Sequence, residues 1–473
     1  MTATLTAERS ELMAMSLQSS SSFDFNNAAR MVMAGGLNKV PNVGFVLSAL
    51  TNVLWPVGQD VWDTIRKRVE ALVNQRLSDY NAQQLRTALK GLKANVNEYL
   101  VALKYSSGNV NYISEKYNVA LGHFIQQVEY FKTSDFTSQQ LLLPLFAQFS
   151  NLHLSLLRDG VIHGRNWGWT TEVQQYNRTR LADTIVDYID HVEKTYTTGL
   201  DTIRRNTSNH NRDGQPFRNV NRYVREMTLA VLDFKDMWKY LDPVNYPNPV
   251  DVVLDREIYS DPVGTADDTG IAVPGAPTQP LTWVEVWGWD RIDAVLTAYA
   301  SGGPDGRNNS GRMGNGNGGS NSGPYGGKFD LNQRGPIVEA GGQAGDILNA
   351  LWFNFKDGSS TGKLGGKYPG GNGFSFKYED HILSSIKVMG VSKHYRSANC
   401  AVFGFKHDKA KSPMSAEMAQ LLYVASIADT KALDLARVSE DSDGAVRRWA
   451  EDYEWARLRD HIWAQRKQES SLR

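Results

Sequence analysis

The stretch Gln139–Gly164 reads QQLLLPLFAQFSNLHLSLLRDGVIHG. From Leu141 to Ile162 it is apolar almost all round, broken by Gln148, Ser150, Asn151, His153, Ser155, Arg158 and Asp159. A helix hydrophobic on every side belongs inside a large core or inside a membrane. At ~1.5 Å per residue it reaches roughly 30 Å, about the thickness of a bilayer's hydrocarbon core. Pro144 fits if it lies in the first turn, where its missing N–H has no helical partner. The stretch therefore predicts a central helix surrounded by others.

Upstream, Asn109–Phe131 (NVNYISEKYNVALGHFIQQVEYF) is amphipathic, with Glu115, Lys116, His123, Gln126, Gln127 and Glu129 on a water-facing side. The polar link Lys132–Ser138 joins it to the apolar helix. Such a hairpin can enter a membrane as a unit, polar side to a lumen and apolar side to lipid. The positions expected to matter are Ile113 (beside Tyr112), His123 and Gln127 on the first helix. On the second they are Leu142, Leu145, Phe149, His153 and Leu156. Helical periodicity runs on both sides, from Phe23 to Asp242: Trp62–Leu77, Leu85–Leu103, Glu172–Ile203 and Asn219–Tyr240 each carry apolar residues at three- and four-residue spacing.

Glycine and asparagine then take over. Asp261–Gln279 is turn-rich, and Leu281 to about Lys409 holds short alternating runs. RIDAVLTAYASG (Arg291–Gly302), DILNALWFNFKDG (Asp346–Gly358) and HILSSIKVMGVSKH (His381–His394) share a polar start, an Ile or Leu, and an alternating strand. Three related units predict a three-sided arrangement of antiparallel sheets. After Ser412 the pattern is helical and charged, with Trp449, Tyr453, Trp455, Leu458 and Trp463 forming one packing face. The expected division is a tail (1–22), a helical bundle (23–262), a linker (263–282), a β domain (283–410) and a helical extension (411–473).

The 473 residues suit two or three domains, and 51 basic residues balance 51 acidic ones. That neutrality argues against nucleic acid, which needs a basic excess. The only cysteine, Cys400, excludes an intramolecular disulfide and cysteine-ligated zinc or iron–sulfur sites, and its apolar surroundings predict a buried, inert thiol. No basic start followed by an apolar run marks a secretory signal, and no stretch approaches ~20 uninterrupted apolar residues. A membrane role then requires refolding from a soluble form. No enzyme motif survives inspection: GSSTGKL (Gly358–Leu364) has the wrong spacing for a phosphate loop, and neither HExxH nor GxSxG occurs. No cofactor, metal or catalytic residue is expected.

Two resemblances sharpen this reading. AQFSNLHLSLLRDGVIHGRNWGW (Ala147–Trp169), the block Asn221–Pro262 and the segment VLSALTNVLWPVGQDVWDTIRKRVEALVNQRL resemble the three-domain delta-endotoxins, the insecticidal crystal toxins. That resemblance implies a seven-helix bundle around a central helix, and a pore formed by the hairpin that ends in Gln139–Gly164. Arg158 on the central helix needs a carboxylate if buried. Asp233 and Glu226 are the candidates, with local pairing to Asp159 the alternative.

GPYGGKFDL (Gly323–Leu331) and the strand-rich run from Ile337 to Gly390 resemble the jacalin-type lectins, which fold as a β-prism of three four-stranded sheets. By that resemblance Gly326 and Gly327 match part of a sugar pocket, with the demands of tight turns the alternative reason for both; Tyr325, Tyr368 and Tyr395 are expected as further contacts. The lectins' late GxxxD loop has no match after Gly390. A β-sandwich third domain, usual in the toxins, is not seen.

Together these imply a toxin that is soluble or inclusion-forming in the producing cell and acts extracellularly at a target-cell membrane after proteolytic activation. Its partners would be membrane lipid, a cell-surface glycoconjugate or receptor protein, and further copies of itself. The alternatives are a non-lytic carbohydrate-binding protein and a storage or structural protein that packs into inclusions.

Overall fold

The computed structural model describes residues 25–38, 43–55, 60–106, 108–207, 214–265, 270–367, 370–391 and 396–408. The expected tail, the C-terminal extension with its aromatic face, Tyr368 and Tyr395 lie outside the described residues. The described chain forms two compact units, residues 25–199 with 229–253, and residues 200–228 with 254–408.

The first unit is helical. In chain order its helices are α1 (Phe25–Asn38), α2 (Phe45–Leu54), α3 (Val61–Val73), α4 (Asp79–Tyr105), α5 (Val110–Lys132), α6 (Phe136–His163) and most of α7 (Thr171–Asn206). Their starts follow from short polar side chains that accept from first-turn N–H groups. Asp60 caps α3, Ser78 caps α4, Asn109 caps α5 and Asp135 caps α6. Helices α3, α4, α5 and α7 each bury a stripe, as with Ile65, Val69 and Val73 on α3. The short α2 is buried at nine of its 10 residues, and α6 is buried from Gln140 to Val161 without interruption. It begins earlier than periodicity predicts, so Pro144 lies two turns inside rather than in the first turn. The Gln140 carbonyl therefore lacks its usual donor four residues on.

Helix α8 (Gln215–Met227) belongs to the second unit, and a π-helical stretch (Thr228–Leu232) leads into α9 (Asp233–Trp238) of the first. Within the second unit α8 is fastened to β backbone. Asn221 Nδ2 donates to the carbonyls of Tyr259 and Ser260 at 3.1 and 2.9 Å, and Arg225 pairs with Asp261 at 3.1 Å.

Three four-stranded antiparallel sheets make up the rest. The first runs β5 (Met313–Gly314), β4 (Ile292–Tyr299), β3 (Leu281–Gly288), β6 (Gly327–Asp330). The second runs β10 (Asn372–Lys377), β7 (Ile337–Ala344), β8 (Leu348–Phe355), β9 (Leu364–Gly365). In the third, β12 (Ala398–His407) lies between β11 (His381–Val391) and the short β1 (Glu257–Tyr259) and β2 (Val263–Gly264). Alternate residues such as Val284, Val286, Leu351, Phe353, Phe403 and Phe405 face a shared interior. This is the three-sheet prism that the repeat predicted.

One unit of the repeat is displaced. The first two fall on β4 and β8, the second strands of their hairpins, whereas His381–His394 falls on β11, the first strand of its hairpin. The place equivalent to β4 and β8 belongs to Ala398–His407. An Ile or Leu in an alternating run marks any half-buried strand, so the pattern does not distinguish the two. Cys400 is buried against Met389 and Val402, and burial pushes its thiol up to about 12.

Candidate functional site

The hairpin α5–α6 is closed by three residues, and its corner is tied by Gln139 Nε2, which donates to the carbonyl of Lys132 at 3.1 Å. Lys132 anchors the same corner to α7 through Asp187 at 2.6 Å. Leu142, Leu145, Phe149, His153 and Leu156 are all buried, and so is Ile113. Phe149 stacks on Phe131 of α5 with ring centroids 4.5 Å apart. Gly160 admits Tyr117 of α5 so closely that a Cβ there would meet its hydroxyl at 2.3 Å.

The other side of α5 differs from the water-facing side that the sequence suggests. Glu115, Gln126 and Glu129 are exposed, but Lys116, His123 and Gln127 are partly buried. The His123 ring lies against Gly91 of α4. Among the polar residues stand Val119, Ile125 and Tyr130, each nearly half exposed at 46–49%.

The polar groups of α6 are held largely by neutral partners. His153 Nδ1 meets the Tyr188 hydroxyl at 2.6 Å and its ring stacks on Phe124. Burial, with the charge of Arg180, pushes His153 down to about 3, so it is neutral. Asn151 accepts from the Trp238 indole N–H at 2.8 Å and donates to Gln148 at 3.1 Å. Arg158 donates to the Gly36 carbonyl at 3.0 Å. Asp159 accepts from the Gly44 N–H at 3.0 Å and the Tyr99 hydroxyl at 3.2 Å. Burial drives Asp159 up to about 7 against the pull of those donors and of Arg158.

Neither Asp233 nor Glu226 is brought to Arg158. Asp233 accepts from Arg30 of α1 at 3.2 Å, a buried pair, and Glu226 lies beside Arg225 at 3.2 Å. Spacing along the chain carried no signal for Arg30, because the two partners are 203 residues apart.

On the prism, Gly326 packs where backbones meet: a Cβ there would lie 1.9 Å from the Ser320 carbonyl. A Cβ on Gly327 would strike the Phe329 ring at 2.6 Å. Gly326 is thus required by close packing of backbone, whereas a side chain at Gly327 would have to displace the Phe329 ring. Tyr325 packs edge-on against Trp289 at 5.2 Å, with Lys367 Nζ 5.3 Å from the Trp289 ring. Trp289 sits at the β3–β4 turn, half exposed, and ends the alternation Trp283, Trp287, Trp289 in the sequence. That alternation was its only signal. Among the described residues no cluster of His, Cys, Asp or Glu could hold a metal ion.

The family description "delta endotoxin, N-terminal domain" matches residues 32–242. The pesticidal crystal protein Cry1Ia of Bacillus thuringiensis subsp. kurstaki is 31% identical over 244 residues, covering 50% of this chain and 33% of that protein. Cry26Aa of Bacillus thuringiensis subsp. finitimus is 34% identical over 209 residues, covering 43% of this chain and 17% of that protein. The chain thus matches a third or less of these relatives' length. Among solved structures, the Bacillus thuringiensis insecticidal crystal protein Cry7Ca1 aligns over 83% of this chain and 76% of its own, with a TM-score of 0.69 and 20% identity. PirB aligns over 81% of this chain and 94% of its own, with a TM-score of 0.63 and 16% identity. These two likenesses extend the shared fold through the prism. Residues 32–242 carry a delta endotoxin N-terminal domain, and over that part the chain is a homologue of the Cry-type crystal proteins.

Proposed function

We propose that this protein permeabilises a target-cell membrane by releasing the α5–α6 hairpin from its bundle, and that the prism selects the membrane. The observation that carries the reading is the combination found in α6. It is 28 residues long, about 42 Å at helical rise, and buried on every side. Yet no described helix is long and apolar enough to cross a membrane by itself. A helix with Gln148, Asn151, His153, Arg158 and Asp159 enters lipid only if those groups are turned away from it. Pairing with α5, and with further copies of the hairpin, provides that shelter. Val119, Ile125 and Tyr130 on the outer side of α5 are apolar surface available to lipid. Homology to the crystal proteins supports the same reading.

For the prism, Trp289 and Tyr325 offer an aromatic edge of the kind that stacks on a sugar ring, and we assign them to glycan contact. Dye release from liposomes and brush-border vesicles, with and without limited trypsin digestion, tests the whole. Release that appears or rises after digestion is expected. Glycan binding with no release from either membrane, before or after digestion, would replace this reading with that of a non-lytic lectin.

A further inference from the structure

A cavity of about 380 Å³ opens in the helical unit between α4, the end of α2 and the start of α3. Its apolar wall is Leu54, Trp55, Trp62, Leu85 and Leu89, with the two indoles 5.2 Å apart. Above them Arg86, Lys90 and Lys93 project from α4 at a spacing that puts all three on one face. Lys90 and Lys93 have no hydrogen-bond or ion-pair partner among the described residues.

The two acidic residues in the lining are already engaged. Asp63 is held by Arg66 at 2.6 Å and Lys67 at 3.0 Å, bonds that outweigh burial and bring it down to about 2, and it also meets Arg86 at 3.4 Å. Asp60 caps α3 by accepting from the Asp63 N–H at 2.9 Å. A net positive rim is left over an aromatic floor.

We propose that this cavity binds an anionic amphiphile, its phosphate-like head on Lys90, Lys93 and Arg86 and its apolar chain along Trp55, Trp62 and Leu89. The size suits a small organic molecule and exceeds the need of a bare ion. A free phosphate leaves the indoles uncovered, and a neutral hydrocarbon leaves the lysines unmatched. The same head group comes from a soluble amphiphile or from an anionic lipid in a bilayer. Binding here stands apart from the hairpin reading and is measurable whether or not membranes leak.

The test is calorimetric titration of the full chain with dodecyl phosphate below its micelle concentration. Saturable one-to-one binding is expected, with dodecyl maltoside and inorganic phosphate each at least about tenfold weaker. The paired substitution Lys90→Glu with Lys93→Glu, on the rim of α4, should weaken dodecyl phosphate at least about tenfold while the circular-dichroism melting curve is unchanged. Unchanged affinity after the charge reversal, or equal affinity for the maltoside, overturns the proposal. Sedimentation with phosphatidic acid/phosphatidylcholine vesicles but not phosphatidylcholine alone, lost on charge reversal, assigns the head group to a bilayer lipid. Monomer binding without such vesicle preference assigns it to a free amphiphile. Absence of both overturns the site.

Discussion

In the β unit, Asp261 accepts from Arg225 at 3.1 Å and from Arg222 at 2.7 Å. Burial alone would raise its carboxyl, but the charge of Arg225 and the bonds from both arginines hold it below its ordinary value. On α6, Arg158 and Asp159 are sequence neighbours, yet each bonds a neutral group. There burial wins: Arg158 is pushed down and Asp159 up to about 7. The first arrangement is a clamp whose charges stabilise one another, while the second keeps its charges only weakly. If α6 leaves its bundle as proposed, the second arrangement serves it better, because neutralising its acid carries less penalty in lipid.

The comparison breaks most visibly at the clamp. Asp261→Ala leaves Arg225 buried without that carboxylate and should destabilise the β unit by about 3–5 kcal/mol, read by thermal denaturation. A change below about 1 kcal/mol would erase the contrast.

At Asp159 the effect depends on pH. A folded pKa raised from 3.8 to about 7 means that the protonated form favours the folded state. This contribution is fully present below pH 3.8 and is lost as pH rises through about 7. His153, pushed down to about 3, and His163 and His191, pushed down to about 4, act oppositely. Their contribution is present above pH 6.5 and lost as pH falls through those lowered values. Subtracting the wild-type stability from that of Asp159→Asn isolates the acid. The difference should grow in the variant's favour between pH 4 and 8, by up to about 4 kcal/mol. A flat difference would show that Asp159 stays ionised in the fold.

Smaller effects sharpen the neutral side of the contrast. Asn151→Leu strands the Trp238 indole N–H and should cost about 1–3 kcal/mol of bundle stability, measured by denaturant unfolding. Lys132→Ala breaks a pair with an exposed carboxylate and should cost less than about 1 kcal/mol.

What the sequence made legible follows from range. Helix α6 could be read because all-round apolarity is a local property, but its start was missed because the cap Asp135 lies in what reads as a polar link. The prism was legible from alternation repeated three times, but β1 and β2 are too short to alternate. Arg30 as the partner of Asp233, His123 against Gly91, and the Trp62 cavity depend on segments far apart in the chain. Periodicity says which residues are buried and nothing of what they meet.

The central claim is that α5 and α6 must separate from α7, and one crosslink tests it most directly. Cysteines at Lys132 and Asp187, whose side chains meet at 2.6 Å, can be joined by a short reducible bis-maleimide. Cys400 is buried with a raised thiol and stays unreactive. With membranes that the uncrosslinked protein permeabilises, dye release should fall to background on crosslinking and return on reduction. Undiminished release from fully crosslinked protein would contradict the account.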